Sequence, residues 1–263
     1  YGFPIDLTAD VCREHDVKID MSKFDEEMKK QRERAKGSNK FSFSNELDTR
    51  GLKTKFVGYD NTSSIGKILS IYKNGESTES AKKGDKVSLV LSESCFYAES
   101  GGQVGDSGFL KSDSTSIQIF STTKTGNAFL HHGLICEGTL RKDELLKAKF
   151  NVFNRDGIKR NHSATHLLHY ALRKILGKHV EQKGSNVDVN RTRFDFSHPN
   201  SLTHKEISEV EDLVNFEILE NKKTEVTSMS FDDAVKNGAL ALFGEKYDSK
   251  VRVLSIGASK ELC

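Results

Sequence analysis

The stretch "NHSATHLLHYALRKILGKHVEQKGS", Asn161 to Ser185, decides most of the fold reading. Leu168, Ala171, Leu172 and Ile175 recur at helical spacing on one side, and Gly177 stops the pattern. The spacing predicts a helix over about 156–176, with His162 and His166 one turn apart on a shared face. Downstream, "VDVNRTRFDFS" reads as a strand, and Thr203 with Glu206 forms a capping-box pair for the helix "KEISEVEDLVNFEILEN". "TEVTSMS" reads as a strand, "FDDAVKNG" as a short helix and "KVRVLSIG" as a buried strand. This part of the chain is α+β, with no Rossmann pattern and no internal repeat.

Upstream, between about Phe56 and Phe150, the pattern is different. Short β-rich runs, "KILSIY", "KVSLVL", "SIQIF" and "NAFLHHG", are separated by Gly, Asp, Asn and Ser. They predict a small all-β unit, barrel or sandwich. Inside it lies "FYAESGGQVGDSG", with glycines at 101, 102, 105 and 108. Such a run either turns at the surface or holds backbone N–H groups against a ligand. It is not a P-loop, because no Lys-Ser/Thr follows. The first fifty residues read as helical: Thr8 caps a short helix, and Ser22 with Asp25 caps a second, "KFDEEMKKQRERAK", ended by Gly37. The polar stretch "GSNKFSFSNELDTRG" reads as a linker.

A hydrophobic fraction of 35% with 30% charged residues suits a globular chain and not a disordered one. No apolar run reaches the roughly 18 residues of a membrane span, and the N-terminus lacks the pattern of a secretory signal. The missing initiator Met leads us to expect a fragment of a longer protein. Cys12, Cys95, Cys136 and Cys263 are too scattered for a disulfide framework, which favours a reducing compartment. A net charge of +2 says little, but nine Lys/Arg against three acids between Arg155 and Arg193 mark a basic region around the histidines. That region is either a solvated helix face or a phosphate-binding surface.

Two imidazoles at i and i+4 can share one Zn²⁺. A zinc peptidase of the His-Glu-x-x-His type needs Glu directly after the first His, where this chain has Ser163, so that motif is incomplete and argues against a metallopeptidase. Alone, the three histidines at 162, 166 and 169 are equally a polar helix face. Cys263, following the strand "KVRVLSIG", offers a third soft ligand, and His₂Cys suits zinc.

"HSATHLLHYALR", "EQKGS", "RFDFSH", "SKELC" and "FYAESGGQVGDSG", with "YGFPIDLT" and "QRERAK" ahead of them, resemble the editing region of alanyl-tRNA synthetases across nearly the whole chain. The resemblance implies an α+β fold: a helical linker over 1–50, a β-barrel-like domain over 51–152 and a zinc-containing editing core over 153–263. It implies hydrolysis of mischarged Ser-tRNA(Ala) and Gly-tRNA(Ala), because an alanine pocket excludes glycine and serine poorly. It makes His162, His166 and Cys263 zinc ligands, with the fourth ligand just beyond residue 263, and the zinc would position the aminoacyl group or polarise water. Gln182 and Thr165 match the family's catalytic and serine-discriminating positions. Gly101, Gly102 and Gln103 would close the site from the β-unit. Arg155, Lys159, Arg160 and Arg193 become candidate contacts to the tRNA acceptor end, although Arg193 is equally placed to pair with Asp195. ATP and Mg²⁺ would belong only to a catalytic domain outside this chain, and the location implied is cytoplasmic or organellar, without membrane or obligate protein partner. The competing readings are a free-standing deacylase and a non-catalytic tRNA-binding module with structural zinc.

Overall fold

The computed structural model describes residues 12–13, 15, 17, 19–37, 47–237, 250–257 and 259–262. The chain divides into two compact units, Tyr1–Leu47 and Asp48–Cys263. In the first, helix α1 spans Met21–Gly37. Its cap is Asp20, whose Oδ1 accepts from the Lys23 amide at 3.0 Å and from the Ser22 hydroxyl at 2.7 Å. The sequence assigned the cap to Ser22. Asp20 takes the role because its carboxylate reaches the backbone N–H three residues on, the usual N-cap geometry. The Thr8-capped helix and the stretch 38–46 lie outside the described residues.

In the second unit six strands close a barrel: β1 (Ser63–Lys73), β2 (Lys86–Leu91), β3 (Gly108–Lys111), β4 (Ser116–Thr125), β5 (Ala128–Glu137) and β6 (Leu145–Phe150). Their order is β6-β3-β4-β5-β2-β1, and β1 pairs back onto β6, with every pairing antiparallel. Closure leaves no exposed edge among these strands. The alternation in β6 shows how the sequence specifies it: Leu146, Ala148 and Phe150 are buried, while Leu145, Lys147 and Lys149 face out. Ile68, Leu89, Leu91, Leu110, Ile117 and Phe96 fill the interior with negligible exposure.

The α+β part follows in the same unit. Helix α2 spans Val152–Leu176, then β7 (Gln182–Val187), β8 (Thr192–Phe196), α3 (His204–Leu219), β9 (Thr224–Ser230), α4 (Phe231–Lys236), β10 (Lys250–Ile256) and β11 (Ser259–Leu262). The boundary drawn in the sequence at 152/153 therefore falls at the start of α2, inside one compact unit. The expected capping box of α3 forms, with the Thr203 hydroxyl accepting from the Glu206 amide and the Glu206 carboxylate accepting from the Thr203 amide. Two expectations need correction. "VDVNRTRFDFS" is a turn and a strand, not one strand: Asp188 Oδ1 accepts from the Asn190 and Arg191 amides at 2.7 and 2.9 Å and reverses the chain. The segment after β10, to which the sequence assigned no element, turns through Gly257 at φ 56° and returns as β11, antiparallel to β10. No described helix is long and apolar enough to cross a membrane.

Within the barrel His131 is fully enclosed. Its Nδ1 donates to the Leu89 carbonyl at 3.1 Å, so Nε2 accepts from the Ser94 hydroxyl at 2.7 Å. Burial, only partly offset by the bond to Leu89, lowers its pKa to about 4. The unfolded chain takes up a proton near pH 6.5 that the folded chain refuses until about 4, so stability is constant above that window and falls within it. The full loss is on the order of 3 kcal/mol. Denaturant unfolding between pH 7.5 and 4.5 should show this slope, and His131→Gln should reduce it, the remainder including His132, which burial also lowers. A slope unchanged by that substitution would assign the proton uptake elsewhere.

Candidate functional site

Helix α2 organises the site. Asn151 caps it by accepting from the Asn154 amide at 3.2 Å, and Gly177 ends it in a conformation disfavoured for other residues, φ 118°. Thr165, His166 and His169 lie buried along the helix, and His162 is partly buried one turn before His166. The His162 and His166 rings stack with centroids 4.9 Å apart and planes within 17°.

Each imidazole is held at Nδ1 by an acceptor from outside the helix. His162 Nδ1 donates to Gln103 Oε1 at 2.7 Å, and Gln103 belongs to the glycine-rich segment of the barrel. His166 Nδ1 and His169 Nδ1 donate to the two carboxylate oxygens of Glu261, on β11, at 2.5 and 2.8 Å. Glu261 is almost wholly buried. Burial pushes its pKa up, but the bonds to His166 and His169 and their charge interactions outweigh that and hold it below the usual range. The sequence reading passed over Glu261. In the alternation of β11 it shares a face with Ser259, opposite Leu262, and nothing in "SKEL" marks a buried acid until the partners on α2 are known. His169 Nε2 is buried without a hydrogen-bond partner among the described residues.

The glycine-rich segment is seated on β7. The Val187 amide donates to the Gly102 carbonyl at 2.8 Å, and the Val104 amide donates to the Val187 carbonyl at 3.1 Å. Gly102 has φ 79°, and a Cβ there would stand 2.2 Å from Ser185 Oγ, so only glycine fits. Gly101 is exposed at the tip, and Gln103 is buried beneath it. Gln182, at the start of β7, donates from Nε2 to Ser185 Oγ at 3.1 Å. The Thr165 hydroxyl donates to the Asn161 carbonyl at 2.8 Å. Its single proton is thereby committed, so Thr192 Oγ1, 2.7 Å away, donates to it.

The remaining sequence candidates are placed differently. Arg155, a candidate phosphate contact by sequence, has its hydrogen bonds taken up inside the protein. It is buried, with Nε donating to Asp106 at 2.9 Å, Nη2 also bonded to Asp106, Nη1 to the Gly58 carbonyl at 3.0 Å, and the guanidinium 4.1 Å above the Phe150 ring. A guanidinium enclosed by carbonyls and a carboxylate has no face to offer an RNA phosphate. Lys159 and Arg160 are exposed on the first half of α2. Arg193 pairs with Asp195 at 3.1 Å, the alternative its sequence neighbours allowed. Cys263 lies outside the described residues, and among those described no group of three or more His, Cys, Asp or Glu side chains is assembled to hold a metal.

The donor chemistry nonetheless fits a zinc ion. Carboxamide and carboxylate oxygens engage Nδ1 of His162 and His166, so Nε2 is the ring nitrogen through which each would ligate an ion, and a carboxylate behind a histidine is the usual outer support of such ligands.

The class II (A) tRNA synthetase family model matches residues 1–152. Over 265 residues, covering the whole chain, the sequence is 49% identical to the alanine–tRNA ligase of Paraburkholderia xenovorans, and over 264 residues it is 50% identical to that of Aromatoleum aromaticum. The chain spans about 30% of the length of these relatives.

Removing one member of the buried pair leaves an uncompensated charge. Asp106→Ala should cost about 3–5 kcal/mol in denaturant unfolding. The double change Asp106→Leu with Arg155→Met should recover much of it. A single-variant loss under about 1 kcal/mol would mean that water reaches the pair.

Proposed function

We propose, from the premise that this chain belongs to the class II (A) tRNA synthetases, that it is the editing region of an alanyl-tRNA synthetase. It hydrolyses the ester linking serine or glycine to tRNA(Ala). The parent protein would attach alanine to tRNA(Ala) with ATP and Mg²⁺ in a part outside this chain. What supports the editing reading is a continuous run of contacts, Gln182 to Ser185 to Gly102, and Gln103 to His162, that gathers the candidate residues from barrel, hairpin and helix.

His162, His166 and Cys263 would hold zinc, with a fourth ligand expected just beyond residue 263. When bound, the ion would supply charge that positions the aminoacyl group or polarises a water. The rest falls to the chain itself. Gln182, its amide nitrogen engaged by Ser185, has a carboxamide oxygen able to accept from the attacking water and orient it toward the ester carbonyl. Thr165 Oγ1 already donates to Asn161 and accepts from Thr192, so the seryl hydroxyl would donate to its second lone pair. Alanine has no hydroxyl to make that bond, which separates serine from alanine; the bond does not act on glycine. Lys159 and Arg160 remain candidate contacts to the acceptor end of tRNA(Ala), and binding through them would weaken with salt. A cytoplasmic or organellar location accompanies this reading.

The test is hydrolysis of Ser-tRNA(Ala) by the full-length, zinc-loaded protein. Gln182→Ala should slow it by about 10²-fold, with unfolding midpoint and tRNA affinity unchanged. Retained tRNA binding with no hydrolysis by the unsubstituted protein would instead establish a binding module.

A further inference from the structure

Gln103 entered as a candidate substrate contact, but its geometry gives it another task. Its side chain is buried and meets His162, not open space. Its backbone is fixed from both sides: the Gln103 amide donates to the Ser100 carbonyl at 3.0 Å, and the flanking Gly102 and Val104 bond to Val187. A carboxamide oxygen only accepts, so the proton of His162 must sit on Nδ1. An imidazole left to water prefers it on Nε2. His166 is held in the same tautomer, but by Glu261 from the far end of the chain.

We propose that Gln103 is a positioning residue that fixes the Nδ1–H tautomer of His162. The barrel's glycine loop, and not the helix, thereby sets the ring to coordinate through Nε2. The consequence for coordination rests on the zinc reading above; the tautomer itself does not. Because the loop is seated through Gly102, anything that lifts it from Ser185 also releases His162.

The experiment uses full-length protein carrying Gln103→Leu, Gln103→Glu or Gly102→Ala. The first removes the acceptor, the second keeps one, and the third displaces the loop while leaving Gln103 intact, which preserves the test if the leucine variant does not fold. Long-range ¹⁵N spectra of histidine-labelled, metal-free protein, with the His162 signals identified by their loss in His162→Gln, report the tautomer. The Nδ1–H form is expected in the unsubstituted protein and in Gln103→Glu, with the Nε2–H form gaining in Gln103→Leu and Gly102→Ala. In competition with a chromophoric chelator, Zn²⁺ should bind the latter two about 10–100-fold more weakly, with Gln103→Glu restoring most of the affinity. A tautomer that does not move in Gln103→Leu or Gly102→Ala overturns the proposal, and so does a moved tautomer with undiminished zinc affinity. A moved tautomer in a protein that binds no zinc at all keeps the positioning role and removes the metal reading instead.

Discussion

The buried ion pair between Arg155 and Asp106 is the contact on which the rest of the arrangement depends. Arg155 stands near the start of α2, and Asp106 lies in the glycine-rich segment of the barrel. The same guanidinium also bonds the Gly58 and Cys95 carbonyls, and Asp106 Oδ2 accepts from the Tyr97 amide at 2.8 Å. One planar cation thus ties helix, loop and barrel wall together, in a way a lysine point charge could not. A charge pair taken out of water adds little net stability unless every donor and acceptor is satisfied. Here several are, and the gain is definition: the glycine segment has one place relative to α2.

That definition carries to the other end of the site. With the segment seated on β7, Gln103 meets His162, and Glu261 reaches His166 and His169 from β11. Glu261 is enclosed yet remains the acceptor for both rings, because its two hydrogen bonds overcome the penalty of burial. Two stretches far from α2 in sequence therefore fix the histidine side chains of one helical face. Local helix geometry alone supplies only the spacing of those histidines.

The sequence revealed what depends on short-range chemistry. The capping box at Thr203 and Glu206, the stop at Gly177 and the alternating strands of the barrel all follow from neighbours within a few residues. It failed where a distant partner decides the role. Arg155 looks like one basic residue among nine until Asp106 and two carbonyls enclose it. Glu261 looks like a surface acid until two imidazoles close over it. Asp20 displaced Ser22 as a cap for a smaller reason: its carboxylate accepts from the Lys23 amide, and the Ser22 hydroxyl donates to that same oxygen. The glycine run was ambiguous in the same way. Gly102 is explained by Ser185 lying 2.2 Å from the position its Cβ would take, a contact between residues 83 apart that no local pattern encodes.

These features bring α2, the glycine segment and the β7–β8 hairpin together at one face, where the proposed hydrolysis would take place. The most direct test is a crystal structure of the full-length protein with a hydrolysis-resistant 3′-seryl-amide of adenosine. The account expects the seryl hydroxyl against Thr165 and the amide that replaces the ester beside Gln182 and His162. An analogue bound at full occupancy away from that face of α2, with Thr165 and Gln182 untouched, would contradict it.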